Sequence, residues 1–543
     1  MKRRTFLQAP ALAFGWTSAG ANQGRQANPG QPVTVRPQPQ VVADPYVRVA
    51  KSPNDWKEGP WIGSPSIVKT ASGRLLVCHD LFGTNSTYDT AYVIGSDDQG
   101  RTWTPLAELR SMFWPSLVRC ASGLYVIGVD RQYERPPNHL VIARSEDNGR
   151  RWSKPSPLTP AGMAVHTANK GALVSNGKIT YSFEVCPSLF DPPPQTKTAE
   201  AVSVAEEELD ERAFRISVEN AGVLVAHTLV AVTAGEQKLH CRVLEADKRG
   251  NRLVLRPERW IPEKAYPASP VNSAGPWRFP PGALVKAVSG TMGNHRDLWV
   301  MAMDAPETAD LCDPRVWRIS NPVGNPAYTH AATLKELFGF TFRAPSKAWL
   351  EGVLVRLEHP GGSGQIVNIL RTGNGIASNV AARVIVDGAS EQLHCRFDRF
   401  TFDPGLGCTH CYILYDSATK LYWMASNVNR GGRPASKGTR STEPARERTA
   451  LGLFYSINCS DWFMAGLVAY SSDMVHSYQY PHFIVDGEDL LLVSRSHVES
   501  PLTEETAGGG KANAHNANGA TLHCVRNFRR LANMDFIHYG AAT

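Results

Sequence analysis

Ser96-Asp97-Asp98-Gln99-Gly100-Arg101-Thr102-Trp103 is the first of two copies of one short pattern, and Ser145-Glu146-Asp147-Asn148-Gly149-Arg150-Arg151-Trp152 is the second. Both read Ser-x-Asp-x-Gly-x-(Thr/Arg)-Trp, and each follows an apolar run that suits a β-strand. The Asp and the Gly favour a tight turn, because Asp bonds its own backbone and Gly adopts a positive φ. The Trp then packs the turn against the next strand. A strand-and-turn repeat of this period predicts the blades of a β-propeller.

The pattern resembles the Asp-box (BNR) repeat of sialidases and related propeller glycosidases. In those proteins the Asp box is a structural turn away from the active site, and it also occurs in propellers that are not enzymes. The resemblance therefore implies a fold, and it suggests a function only by analogy.

A larger unit also repeats along the chain: an apolar strand, a turn around Gly, a second apolar strand and a polar residue at its end. Six such units begin at Ser66, Ser116, Gly171, Leu350, Cys411 and Pro481. The segment 188–297 is either a seventh blade or a long insertion in the third blade, and we favour the insertion. Residues 46–49 are placed to pair with the last blade, since ring closure removes exposed strand edges. The predicted fold is all-β, a six-bladed β-propeller over 41–535.

The N-terminus carries features of export. Lys2-Arg3-Arg4-Thr5-Phe6-Leu7 resembles a twin-arginine signal, and Ala19-Gly20-Ala21 offers a small-residue cleavage site. We therefore expect a signal peptide over 1–21, a flexible leader over 22–40, and a periplasmic or secreted protein. No later run of about 20 apolar residues occurs, so no membrane span is expected.

Composition limits the partners of the chain. It has 57 Lys and Arg against 50 Asp and Glu, which gives a modest net charge of +7. The sequence also has no basic stripe of the kind that nucleic-acid-binding proteins carry. Cys408-Thr-His-Cys411 has metal-like spacing, but no second pair follows at a zinc-ribbon distance. We expect a carbohydrate or glycoconjugate substrate, no nucleic acid, no metal and no cofactor. The oligomeric state stays open.

Polar side chains end the second strand of every unit, namely Asp80, Asp130, Glu184, Arg371, Asn427 and Arg495. If these strands surround a central channel, the six side chains meet near one of its mouths. A single such residue could equally satisfy backbone groups of a loop. The repetition favours a shared polar pocket. The polar loops 429–446 and 500–519 follow second strands and are predicted to face this pocket, with His515 as a cap.

Within this pocket the resemblance to sialidases implies roles for particular residues. That family uses a Tyr nucleophile assisted by a Glu, an Asp acid/base, and arginines that hold the substrate carboxylate. By resemblance, Tyr480 is the nucleophile, Glu351 is its partner, and Arg371 and Arg495 bind the carboxylate. A carboxylate beside a phenol accepts its proton and promotes attack.

The chain departs from the family pattern in blade one. The family's Arg-Ile-Pro motif is represented by Gly63-Ser64-Pro65, so one carboxylate-binding arginine is missing, and Arg131 or Arg135 is a candidate replacement. The acid/base is either Asp80 or Asp130.

Other residues near the predicted mouth have two interpretations. His166 and Glu184 of the third blade are further candidates for substrate binding, or they stabilise loops. Trp61, Trp114 and Trp349 stand near first-strand starts, where they suit either sugar stacking or packing.

Three functions fit these observations. The leading one is an exported sialidase-like glycoside hydrolase that removes a terminal, acidic sugar, as an exo-alpha-sialidase does. The second is a glycosidase that uses two carboxylates, for instance Asp130 with Glu351, on another sugar. The third is a non-catalytic propeller that binds carbohydrate.

Overall fold

The computed structural model describes residues 40–53, 59–131, 138–159, 165–168, 171–185, 195–205, 212–224, 229–257, 272–287, 298–323, 350–358, 364–372, 380–389, 391–404, 409–428, 448–472, 476–499 and 514–532. They belong to one compact unit, Gln40–Thr543. Their regular structure is β-strand, with 3-10 helices at Ala221–Val223, Pro314–Val316 and Phe528–Leu531. None of the helices in this part of the chain is long and apolar enough to cross a membrane. The predicted signal peptide lies outside the described residues.

Six antiparallel sheets form the blades. Blade one contains Trp61–Ile62, Ser66–Lys69, Leu75–Phe82, Thr90–Ser96 and Thr104–Arg110, and blade two contains Phe113–Cys120, Gly123–Val129, Leu140–Ser145 and Ser156–Pro157. Blade three contains Val165–His166, Leu173–Ser175, Lys178–Val185, Trp299–Pro306 and Arg318–Ile319, and blade four contains Leu350–Arg356, Ile366–Arg371, Val380–Asp387 and His394–Phe402. Blade five contains Tyr412–Asp416, Leu421–Asn427, Ala450–Ser456 and Phe463–Tyr470, and blade six contains Tyr478–Asp486, Asp489–Ser496 and Gly519–Val525.

The ring closes with a strand from the start of the described chain. Val47–Lys51 pairs antiparallel with Gly519–Val525 and becomes the outermost strand of blade six. Each contact between neighbouring blades has its own buried hydrophobic cluster, including the contact between blades six and one, where Ile67 and Val77 meet Val493. The predicted six-bladed propeller is therefore confirmed.

The two sequence repeats form matching turns between the third and outer strands of blades one and two. In the first, Gly100 N donates to Ser96 Oγ at 2.8 Å, and Trp103 Nε1 donates to Gly100 O at 3.0 Å. In the second, Gly149 N donates to Ser145 Oγ at 2.9 Å. The indole of its Trp closes the turn in the same way, at 3.0 Å. Local hydrogen bonds thus explain why the same motif closes the outer turn in both blades.

The predicted insertion in blade three is also confirmed. It leaves after Lys178–Val185 and returns at Trp299–Pro306, two strands that pair with each other. Its strands are Gln195–Lys197, Val202–Val204, Phe214–Ser217, Leu229–Ala234, Gln237–Asp247, Arg252–Pro257, Trp277–Phe279 and Leu284–Ala287. A bridge between Thr198 and Val218 joins the two edges of the six-stranded sheet. The insertion is therefore a small closed barrel with its own apolar core.

A buried ion pair of blade four contacts the turn 456–462 between the last two strands of blade five. Trp462 Nε1 donates to Asp403 Oδ1 at 2.8 Å, and Arg383 Nη2 lies 3.6 Å from the same oxygen. Asp403 is fully buried and Arg383 is 5% exposed. Removal of the carboxylate would leave the guanidinium buried without its counter-charge.

We expect Asp403→Ala to lower the free energy of unfolding by about 3 kcal/mol, because one partner of a buried pair is lost. Urea denaturation measures the change. Asp398→Ala is the matched control, since Asp398 pairs with the largely exposed Arg399 and such pairs contribute little. Equal losses in the two variants would contradict a stabilising role for the buried pair.

Candidate active site

Three innermost strands begin with the same backbone irregularity. Trp114, Glu351 and Tyr480 have φ values of 50°, 56° and 51°, in the left-handed region. Each is the first residue of a bulge in the pairing between the first and second strands of its blade. The left-handed conformation costs a residue with a side chain about 1 kcal/mol or more, so the surrounding structure must hold it. The bulge changes the direction in which each of these side chains leaves the beginning of its strand.

Two of these residues, Glu351 and Tyr480, meet across the ring. Tyr480 Oη donates to Glu351 Oε1 at 2.7 Å, and Arg371 Nη1 donates to Glu351 Oε2 at 2.7 Å. Burial raises the pKa of Glu351, but Arg371, His410 and the hydrogen bonds from Tyr480 and Arg371 outweigh it and hold this pKa well below its usual value. Glu351 is therefore an ionised acceptor for the phenol proton.

Two more arginines surround the Tyr480 ring. The Cζ atoms of Arg495 and Arg448 lie 4.1 and 5.6 Å from the ring centroid. The His410 ring stacks on it at 5.3 Å with an interplanar angle of 15°. Burial lowers the pKa of Arg448 to about 10, and the charges of Arg371 and Arg495 act in the same direction. Arg448 is therefore still a cation at neutral pH.

A neutral amide holds the pair Arg448 and Arg495. Gln479 Oε1 accepts from Arg448 Nη1, and it accepts from Arg495 Nη2 at 3.2 Å. Gln479 Nε2 in turn donates to Ser477 Oγ at 3.0 Å and to His515 O at 3.1 Å. The shared acceptor carries no charge, so Gln479 does not neutralise either guanidinium group.

Phe82 and His515 lie against this group from blade one and from the predicted capping loop. Arg495 Cζ is 5.0 Å from the Phe82 ring, and the His515 ring is 5.4 Å from Phe82. Burial and the nearby Arg495 and Arg448 hold the pKa of His515 well below its usual value, so its imidazole is neutral. The expected position of His515 beside the pocket matches this geometry.

Glu184 and His166 form a second pair behind Glu351. His166 Nδ1 lies 2.8 Å from Glu184 Oε2, while Glu184 Oε1 accepts from the Glu351 backbone N–H at 2.8 Å. Burial raises the pKa of Glu184 against the opposing effect of His166. Both carboxylate oxygens are thus engaged, and Glu184 supports the bulge that presents Glu351.

The two candidate acid/base residues occupy different environments. Asp80 is fully buried and lies close to Arg495. Burial lowers the pKa of Arg495, and the charge of Asp80 opposes this by raising it. A Cβ at Gly63 would lie 2.2 Å from Asp80 Oδ1, so this glycine makes room for the carboxylate. Asp130 Oδ1 instead accepts from His139 N at 2.9 Å and closes a hairpin of blade two.

Of the two predicted replacements for the missing arginine of blade one, the structure describes only Arg131. Arg131 is 54% exposed in its side chain and lies 3.6 Å from Asp130. Three residues named in the sequence analysis lie outside the described part of the chain, namely Arg135, Trp349 and Cys408. The third guanidinium at Tyr480 is that of Arg448, immediately after the predicted loop 429–446. The excess of arginine and glycine in that loop is the only signal in the sequence that pointed near it.

Asn427, the remaining strand-end residue, serves this cluster indirectly. Its Nδ2 donates to Tyr478 O at 2.7 Å and to Arg448 O at 3.3 Å. The side chain therefore fixes the backbone on both sides of the site. The sequence placed Asn427 at the mouth but did not show that it holds the backbone there.

Comparison with known proteins adds likeness of fold. No family model matches the chain, and no curated protein matches it. Among solved structures, the chain is similar to an alpha-L-arabinanase of Penicillium chrysogenum, with 11% identity, a TM-score of 0.43, and coverage of 89% of this chain and 98% of that one. It is also similar to a mutant sialidase of Trypanosoma rangeli with trans-sialidase activity, with 10% identity, a TM-score of 0.46, and coverage of 92% and 62%.

A third solved structure is a mutant alpha-L-arabinofuranosidase of Fusarium graminearum, with 9% identity, a TM-score of 0.40, and coverage of 89% of this chain and 98% of that one. All three likenesses have TM-scores below 0.5.

Proposed function

We propose that the protein is a glycoside hydrolase that removes a terminal, acidic sugar and uses Tyr480 as its nucleophile. The observation that carries this proposal is the 2.7 Å hydrogen bond from Tyr480 Oη to an ionised Glu351, inside a group of three arginines. Phenols are weak nucleophiles unless a base accepts their proton. Here the base is in place and is itself held by Arg371.

The proposed reaction has two steps. In the first, Tyr480 Oη attacks the anomeric carbon, its proton passes to Glu351, and the leaving oxygen takes a proton from Asp80. In the second, water attacks the same carbon, gives a proton to Asp80 and releases the sugar, while Glu351 returns the phenol proton. The configuration of the sugar is retained, because the carbon is inverted twice.

The charges of the site support an acidic sugar. Arg371 forms an ion pair with Glu351, and Arg448 and Arg495 add two further guanidinium groups that both donate to the neutral amide of Gln479. Guanidinium groups bind carboxylates through paired, charge-assisted hydrogen bonds. Tyr480 and Glu351 are each 5% exposed, which fits a terminal residue better than the middle of a polymer.

A screen of the purified protein against aryl glycosides tests the proposal. The panel includes sialosides, uronides and neutral glycosides, and release of the phenol is measured. We expect turnover of an acidic member. Turnover of neutral members alone would contradict the assignment of an acidic sugar, and turnover of none would leave a binding propeller as the better description.

The two-carboxylate alternative has a weaker basis. Asp130 bonds within its own blade, and the two oxygens of Glu184 are already engaged by His166 and by the Glu351 backbone. Neither carboxylate is presented as a second catalytic group beside Glu351.

We expect Gln479→Glu to raise the KM for an acidic substrate by about 10- to 100-fold, because the new carboxylate neutralises Arg448 and Arg495. Turnover of a neutral glycoside should be affected less. Gln195→Glu serves as the control, because Gln195 is exposed on the strand Gln195–Lys197 of the insertion barrel. This substitution adds the same charge away from the site. An unchanged KM in Gln479→Glu would show that the arginine pair does not bind the substrate anion.

A further inference from the structure

We propose that Trp114 forms an aromatic subsite that binds the apolar face of a pyranose ring, at the same mouth of the channel as Tyr480 and Glu351. The inference rests on the proposed function, since it adds a subsite to that active site. The Trp114 ring would form one wall of the pocket, and this wall would contact C–H groups of a sugar rather than its hydroxyl or carboxylate groups.

The backbone of Trp114 has the same irregularity as that of Glu351 and Tyr480. Bulged pairing starts after Phe113 in blade two, after Leu350 in blade four and after Gln479 in blade six. In each blade the next residue adopts a left-handed conformation, and Trp114 is the member of this set in blade two. A bulky residue in this conformation is uncommon, and such strain concentrates at functional sites.

The three side chains leave their blades in a similar direction. Each belongs to the first residue of a bulge near the start of an innermost strand and has a similar φ. We infer that the three side chains approach one mouth of the channel. Gly128 leaves room for the bulge of blade two, because a Cβ there would lie 2.6 Å from Phe113 O.

A continuous series of contacts joins Trp114 to Glu351. The Trp114 ring lies 4.4 Å from the His166 ring at an angle of 61°. His166 bonds Glu184, and Glu184 accepts from the Glu351 backbone N–H. Trp114 keeps part of its surface exposed, whereas Glu351 is buried. A partly exposed indole beside a buried catalytic pair suits the face of a sugar ring, since aromatic rings combine apolar area with a rigid shape.

The competing explanation is packing, because Trp114 also borders the hydrophobic cluster between blades two and three. A packing role predicts lower stability and unchanged substrate binding. Trp114→Leu removes the ring, and Trp114→Phe keeps a ring. Trp103→Phe, in the Asp box of blade one, is the control for the loss of one tryptophan.

The test measures KM and kcat on the aryl glycoside that the wild type cleaves, together with calorimetric Kd values for N-acetylneuraminic acid and D-glucuronic acid. We expect Trp114→Leu to raise KM about ten-fold with a smaller change in kcat, and Trp114→Phe to restore most of the affinity. Trp103→Phe should leave KM unchanged.

The outcomes separate this proposal from the proposed function. If the wild type hydrolyses a glycoside and Trp114→Leu keeps its KM, the subsite is overturned and the hydrolase is retained. If the wild type hydrolyses nothing but binds one of the two sugars, and Trp114→Leu weakens that binding, the subsite stands and the hydrolase falls. If the wild type neither cleaves nor binds any of these sugars, both are overturned.

Discussion

Tyr480→Phe is expected to lower kcat by roughly 10³-fold or more, which is the scale of losing a nucleophile. The substitution removes one oxygen and keeps the ring, so the contacts of His410 and Arg495 with the ring remain. Glu351 also keeps its ion pair with Arg371. The melting temperature should therefore change little while turnover collapses. Initial rates on the best glycoside of the panel and a thermal melt measure the two effects.

Tyr412→Phe is the matched control for this experiment. Tyr412 is another inner-strand tyrosine, and burial raises its pKa to about 12, so its hydroxyl stays protonated and takes no part in the proposed chemistry. It should retain nearly normal kcat. Near-normal turnover in Tyr480→Phe would eliminate the tyrosine mechanism. Severe losses in Asp130→Asn and Glu351→Gln alongside that result would instead favour catalysis by two carboxylates.

Glu351→Gln is expected to lower kcat by roughly 10²- to 10⁴-fold, which is the range for a general base. The amide keeps the shape of the side chain but cannot accept the phenol proton. It also leaves Arg371 without a counter-charge next to two further arginines, so the free energy of unfolding should fall by about 3 kcal/mol at pH 7. Chemical denaturation and initial rates measure the two effects.

The stability difference between the wild type and Glu351→Gln should depend on pH in a defined direction. The pKa of Glu351 is lower in the folded protein than the value of about 4.3 expected for an unfolded chain. Its stabilising contribution is therefore complete above that unfolded value and is lost as the pH falls toward the folded value. The two proteins should differ most near neutral pH and converge in acid.

Glu499→Gln is the control for the pH experiment. Glu499 pairs with Arg48 and Lys51, but its side chain is 57% exposed, so solvent screens the interaction. Its removal should leave stability and turnover nearly unchanged. A difference between the wild type and Glu351→Gln that stays constant from neutral to acidic pH would refute the ion pair as the source of the stability.

The turns and strands of the individual blades could be predicted from the sequence. An Asp box closes through hydrogen bonds between residues at most four positions apart, such as Gly100 to Ser96, so its eight residues carry the turn by themselves. The apolar strands and their polar ends followed from alternation and turn signals, and the structure brings Glu351, Arg371, Tyr480 and Arg495 into one group. The six blades and the insertion were predictable because the unit of strand, turn, strand and polar residue repeats along the chain and is interrupted in the third blade.

The assembly of the site was decided only by the tertiary structure. The hydrogen bond between Tyr480 and Glu351 joins residues 129 positions apart, and no local pattern specifies such a distance. Arg448 lies beside Tyr480 without any motif that marks it in the sequence, and Gln479 is its hydrogen-bond partner because two blades meet there. Short-range hydrogen bonding determined the blades, whereas the closed ring of packed blades determined which charges share one buried space.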